Sequence, residues 1–317
     1  MPLKSPKSRL SLWLYRLGRL DGTGRRLSGC CSSFSKETCI MRHKLVVTAL
    51  GFTLTLLLVS AAPAALLGTL HHNYEAGNNP LDPAFWEDLT AETDDLTLTG
   101  QTRSADASAP GGFAYTFDGS GSATVPNTAS WVNTANFDVS FEVWFKPANL
   151  VDEGDLGEVI VETGGNKGLA IVLDGDQLRF THGNADGDHL IETTITAGSF
   201  IQVVGVVNNT GGNVSSLYVN GLPVGTPDTT EDWKGTGNAA GVGGINGGDQ
   251  TGSYGNTGVG MFSHFSGDIA IMRMYDGALT DAEVLNNYNE VVIPEPSSLL
   301  LAALGLLGLL CGHRRRR

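Results

Sequence analysis

From Phe113 onward the chain is cut into apolar runs of four to eight residues, with hydrophobic side chains alternating and Gly, Asn or Asp between the runs. Runs this short cannot bury a helical stripe, but a strand of period two can bury one face, so the pattern calls for an all-β sandwich. Its clearest instance is Val139-Ser140-Phe141-Glu142-Val143-Trp144-Phe145-Lys146. There Val139, Phe141, Val143 and Phe145 fall on one face, which is expected to be core.

Further strands are expected at 168–173 and 177–181, flanking Asp174-Gly175-Asp176, a hairpin tip built of residues that tolerate positive φ. Ile201 to Val207 and Leu217 to Val219 add two more, the second ending in the Asn220-Gly221 turn, and Phe265 to Tyr275 reads as the last. Residues 65–112 are polar and read mostly as loop with room for a first edge strand, anchored by Tyr74, Phe85 and Trp86. The glycine-rich stretch 235–260 lacks lysine and arginine, so it reads as a long loop without phosphate-cradling capacity. Thr280-Asp281-Ala282-Glu283 is a capping box, predicting a short helix to about Tyr288 with Leu279 and Val284 as its hydrophobic staple.

Both ends carry addresses. Residues 41–64 join a basic start (Arg42, His43, Lys44), an apolar core from Leu45 to Val59 and the small-residue sequence Ala62-Pro63-Ala64, the order of a signal peptide read by the general secretion machinery. Cleavage is expected after Ala64 or after Ala61. Residues 1–40 carry eight Lys or Arg and precede a complete signal, so they read as an upstream extension with Met41 as the true start. At the other end, Pro294-Glu295-Pro296 is followed by an apolar run from Leu299 to Cys311 and then by Arg314, Arg315, Arg316 and Arg317. Thirteen residues of helix span about 20 Å, less than the roughly 30 Å hydrocarbon core, so the run suits a transient halt in the membrane. The terminal arginines favour the cytoplasmic side and leave the preceding chain outside. This three-part tail, residues 294–317, resembles the PEP-CTERM sorting signal of Gram-negative bacteria. The resemblance implies recognition of Pro-Glu-Pro by an exosortase, a membrane protease-transpeptidase, with removal of the tail.

Removal of both ends changes the electrostatics. Residues 65–293 hold 6 basic and 30 acidic residues, a net charge of −24, and no cysteine. Such a chain repels nucleic acid and anionic lipid, and its stability rests on core burial rather than disulfides.

Residues 113–292 resemble the laminin-G-like, concanavalin A-like jelly roll. The resemblance is carried by Tyr115-Thr116-Phe117-Asp118-Gly119, by Phe137 to Pro147, by Leu217-Tyr218-Val219-Asn220-Gly221, and by Phe265 to Tyr275 followed by Ala278-Leu279-Thr280. It implies a jelly-roll β-sandwich with one short C-terminal helix. Two departures stand out. Phe200-Ile201-Gln202-Val203-Val204-Gly205 replaces a common Trp-x-His-Val-Ala, and Ile269-Ala270-Ile271 replaces Ile-Asp-Glu, removing two acids.

The fold family includes endoglucanases, and Glu153, Asp155 and Glu158 match their Glu-x-Asp-x-x-Glu pattern literally. Gly154 and Gly157 interrupt it, and a retaining glycosidase needs two carboxyls held rigidly about 5 Å apart, so the segment reads as an acidic turn and the chain as no enzyme. Jelly rolls of this type often hold structural Ca²⁺, which makes Asp118 and Asp268 the metal candidates. The histidines show no zinc spacing, with His182, His189 and His264 spread singly along the domain. Trp131, Trp233 and Tyr254, beside Gly, Asn and Thr, are the candidates for stacking on a glycan. The expectation is a non-catalytic, surface- or matrix-targeted binding or adhesion protein, its ligand an extracellular polysaccharide or other polymer. A structural matrix protein without a ligand and a diverged glycoside hydrolase are the alternatives.

Overall fold

The computed structural model describes residues 65–79, 84–92, 94–124, 138–151, 156–163, 169–183, 188–229, 240–244 and 261–292. In chain order the strands begin with β1 (Thr69–Glu75), β2 (Phe85–Trp86), β3 (Leu96–Thr97), β4 (Thr102–Ala105), β5 (Phe113–Asp118) and β6 (Ala123–Thr124). Next come β7 (Val139–Pro147), β8 (Leu156–Glu162), β9 (Leu169–Asp174), β10 (Gln177–Gly183), β11 (Asp188–Thr194) and β12 (Ile201–Asn208). Last are β13 (Val214–Val219), β14 (Leu222–Thr229), β15 (Gly241–Val242), β16 (Met261–His264) and β17 (Ser266–Asp276), before helix α1 (Asp281–Val292).

Two sheets face each other. The first runs β14-β13-β12-β7-β17-β5-β4, with β1 also pairing β17, and the second runs β11-β10-β9-β8-β15-β6-β3-β2, with β16 alongside β8. All pairs are antiparallel except β16 on β8. Strand β17 lies beside β7 and β5, far away in sequence, which gives the jelly-roll crossing expected from the alternating pattern.

Inward side chains of both sheets, among them Phe141, Phe145, Ile171, Phe180, Val203 and Met272, form one continuous core. Hairpin chemistry fixes register as predicted. Asn220 and Gly221 take φ of 51° and 79° between the paired Val219 and Leu222, the left-handed geometry of a type I′ turn. Gly175, φ 57°, opens the two-residue turn between Asp174 and Gln177.

Strands β8, β11 and β14 lie where the sequence marked none, and two longer segments also depart from expectation. Residues 65–112 hold four strands rather than one, because Tyr74, Trp86 and Leu96 are fully buried in the core, while Phe85 is exposed. Within 235–260, the described residues 240–244 include β15, which bridges β8 and β6 in the second sheet.

Helix α1 starts as predicted. Thr280 N donates to Glu283 Oε2 at 2.8 Å and Glu283 N to Thr280 Oγ1 at 3.3 Å, a reciprocal capping box, with Leu279 and Val284 in one buried cluster. It runs a full turn past Tyr288, since Tyr288 stacks on Trp144 (5.6 Å, 3°) and Val291 packs on the same cluster. Thr280→Ala is expected to lower stability by about 1 kcal/mol, measured by chemical denaturation, through loss of the cap. An unchanged midpoint would mean the helix is held by its packed face alone. Among the described residues no helix is long and apolar enough to cross a membrane, and the apolar run 299–311 lies outside them.

Candidate functional site

Strand β7 presents Ser140, Glu142 and Trp144 on the face opposite the core, and all three are buried because α1 and its flanking turns cover that side. Burying a carboxylate there requires partners on every lone pair. Glu142 Oε1 accepts from Trp144 Nε1 (2.7 Å) and Gln202 Nε2 (2.8 Å), and Oε2 from the Tyr275 hydroxyl (2.6 Å). Arg273 Nη1 approaches Glu142 at 3.4 Å, its Nη2 donates to Glu75 (2.6 Å) and its Nε to Asn73 (3.1 Å). Burial opposes the charge on Arg273, yet Glu142, Tyr275 and Glu75 raise its pKa further above its ordinary value. For Tyr275, burial and then the Glu142 charge push the hydroxyl well above the phenol range. The hydroxyl therefore stays protonated and donates.

The same network fastens the helix. Asn287 Nδ2 reaches the Tyr275 hydroxyl (3.3 Å) and donates to Leu67 O (2.9 Å), while its Oδ1 accepts from Leu67 N (2.7 Å). Asn286 Nδ2 donates to Ala65 O at 3.0 Å. Residues 65–67 thus form a strap over α1, so the chain just after one expected processing site and the chain just before the other share one face.

Beside the N-terminus of α1, β12, β13 and the 278–282 turn enclose an open cleft of about 510 Å³. Its polar lining is Asn208, Ser216, Tyr218, Thr280 and Asp281, and Val206, Val214, Ala278, Leu279 and Ala282 form its apolar wall. Tyr218 donates to Asp281 Oδ1 at 2.7 Å, and burial followed by this carboxylate raises its pKa. The cleft carries hydroxyls, an amide and one carboxylate, and no cation. That lining suits a neutral, hydroxyl-bearing ligand.

The residues singled out from sequence are placed unevenly. Trp131, Trp233 and Tyr254 lie outside the described residues, as do Glu153 and Asp155, the cleavage positions Ala62 and Ala64, and the tail with Pro294, Glu295, Pro296 and Arg314 to Arg317. Glu158 lies on β8 rather than in the expected turn and accepts from Ser266 N at 3.2 Å. Asp118 is exposed and closes a local turn, accepting from Ser120 N (2.9 Å) and Oγ (2.5 Å), and these two bonds lower its pKa. Asp268 accepts from Thr116 Oγ1 (2.7 Å) and pairs with Lys146 Nζ (3.0 Å), which also bonds Asp106. The Lys146 ammonium thus already stands beside Asp268 where a cation would bind, while Asp118 is held by its own turn. No group of three or more metal-ligating side chains is assembled among the described residues.

Sequence spacing also missed a histidine pair. The β10–β11 register places His182 opposite His189, rings stacked at 4.9 Å, and Asp228 of β14 lies 3.2 Å from His189 Nδ1. Both ring nitrogens of His182 are buried without a hydrogen-bond partner. Burial first, then the charge of His189, with Asp228 opposing, lowers its pKa to about 3. Pairing of β10 with β11 was the available signal, since it puts residues 182 and 189 opposite one another.

A family model described as the concanavalin A-like lectin/glucanases superfamily matches residues 117–285, and one described as the PEP-CTERM protein-sorting motif matches residues 292–316. No curated protein matches the chain. Among solved structures, the binding domain of Paraclostridial Mosquitocidal Protein 1 is similar, with TM-score 0.53 and 16% identity over 70% of this chain and 52% of that one. The Botulinum neurotoxin serotype D binding domain gives 0.52 and 11% over 70% and 50%. A Trypanosoma rangeli sialidase, in complex with 2,3-difluorosialic acid, gives 0.52 and 14% over 75% and 35%. At such identities the likeness is one of fold, and this chain spans about half the length of the two binding domains and about a third of the sialidase.

Proposed function

The chain belongs to the concanavalin A-like lectin/glucanase superfamily, and on that premise we propose that it is an exported, non-catalytic binding protein that holds an extracellular glycan or related polymer. The PEP-CTERM motif at 292–316 supports delivery to the cell surface or extracellular matrix, with an exosortase as processing partner. Two of the fold neighbours are named as binding domains. The observation that carries the reading is the open 510 Å³ cleft, whose hydroxyl and amide lining matches the donors and acceptors of a sugar ring.

The test is binding of the secreted, processed protein to the producer's own exopolysaccharide and to a glycan panel, with Ca²⁺ and with chelator. Saturable binding is expected, reduced about tenfold or more in Ser216→Trp, which fills the cleft, with thermal melting to check that the variant stays folded. Binding that survives Ser216→Trp would move the site to the sequence candidates Trp131, Trp233 and Tyr254. Loss on chelation would support a Ca²⁺ site. Absence of saturable binding in every condition would instead favour a structural matrix protein, and depolymerisation of the glycan would end the non-catalytic reading.

A further inference from the structure

The outward side of α1 carries apolar side chains that the fold leaves partly exposed. Leu285 and Val292 are seven residues apart, on one face of the helix, and are 41% and 46% exposed. The β13–β14 hairpin extends that stripe. Its tip packs so closely on the helix that a Cβ at Gly221 would meet Leu285 Cδ1 at 3.0 Å, and the next residue, Leu222, is 60% exposed. A domain of net charge −24 does not need apolar surface for solubility, so exposed Leu222, Leu285 and Val292 on this side of the helix point to contact with a partner.

Position and charge say which partner. Val292 is both the last residue of α1 and the first residue of the sorting motif match, leaving only Ile293 before Pro294. Residues 293–298 separate the helix from the apolar tail, and six residues reach about 20 Å at full extension. Whatever reads Pro-Glu-Pro at the membrane surface therefore works against the end of this helix. The helix itself is held by Asn287, the 65–67 strap and the Trp144–Tyr288 stack, so it cannot swing away as a free linker would. It bears Asp281, Glu283 and Glu290 and no basic residue, and its C-terminal turn leaves the negative end of the helix dipole uncompensated. Anionic lipid is repelled by that surface, whereas a protein with an apolar and cationic face matches it.

We propose that Leu222, Leu285 and Val292 form the docking surface for the membrane-embedded protease that processes the tail, so that the folded domain and the Pro-Glu-Pro motif are recognised together. This rests on the sorting reading of the tail. It adds a second recognition element, split between the end of α1 and the β13–β14 hairpin, one that exists only when the helix is docked and the hairpin folded.

The experiment follows tail removal in the producing cell by pulse-chase and mass spectrometry for wild type, Leu222→Ser/Leu285→Ser and, as control, Val151→Ser, another exposed apolar residue (63%) outside the stripe. Loss of tail is expected to slow about fivefold or more in the double variant, the scale of effect carried by interface anchors, and to be unchanged in the control. Thermal melting checks that the double variant is folded. Separating the surface from the motif, by inserting six Gly/Ser residues after Ile293, is expected to slow processing comparably although every docking residue is intact. A wild-type protein that keeps its tail overturns the sorting reading itself. Normal processing of both the double variant and the insertion, with wild type processed, overturns the docking surface alone. Cosedimentation of the secreted protein with anionic or zwitterionic vesicles, lost in the double variant, would assign the stripe to the bilayer and also overturn the proposal.

Discussion

Arg273→Met is expected to destabilise the domain by about 3–5 kcal/mol, read as a shift in the midpoint of chemical denaturation, because it leaves the Glu142 carboxylate buried without its counter-charge. Arg273 and Glu142 are 3% and 1% exposed, so water cannot replace what is lost. The guanidinium also holds Glu75 and Asn73 of β1, so the same change loosens β1 from β17. Combining it with Glu142→Gln is expected to recover part of the loss, since the amide keeps most hydrogen bonds without the unpaired charge. A cost below about 1 kcal/mol for the single change would show that the network is hydrated in solution. Tyr275 ties this network to Asn287, so fluorescence of Trp144 under the helix should report the loss together with the global transition.

Acidification is expected to remove stability well before the carboxylates titrate. In the unfolded chain histidine takes up a proton near 6.5, whereas folded His182 does so only near 3. Across that window the unfolded state holds the extra proton, so stability is full above about 6.5 and falls as pH falls. The accumulated loss at pH 4 is on the order of 3 kcal/mol. Acidic groups with lowered pKa, namely Glu75, Asp88, Asp106 and Asp118, add their losses only below about 4.5, so the upper part of the window belongs to His182. His189 stacks on it and Asp228 lies beyond, the one disfavouring and the other favouring its charge. His182→Leu should flatten the pH dependence of the denaturation midpoint between pH 6.5 and 4.5. A slope of the same size in that variant would assign the effect to other groups.

The fold was legible because its information is local and periodic. Val139 to Lys146 alternates, Asn220-Gly221 favours one hairpin geometry, and Thr280 and Glu283 cap one another within a single turn. The site was far less so. Glu142 read as the polar side of an amphipathic strand, yet it is the centre of a buried network, because residues 131 and 133 positions later in the chain lie on the strand beside it and α1 covers that face. Asp118 and Asp268 read as ligands by position in a family motif. Whether an aspartate is free for a metal depends on what lies beside it, and Lys146, on another strand, answers that for Asp268.

By itself, then, the sequence determined the alternation that forces a sandwich, the turns that set hairpin register, the capped helix and the sorting motif, all of which depend on residues a few positions apart. Tertiary structure alone decided that the outer face of β7 is covered, that His182 meets His189 and Asp228, and that the strap at 65–67 and the helix leading to Pro294 share a face. Those outcomes depend on burial and charge pairing between segments as much as 221 residues apart, and desolvation is a property of the assembled neighbourhood, not of any stretch of chain.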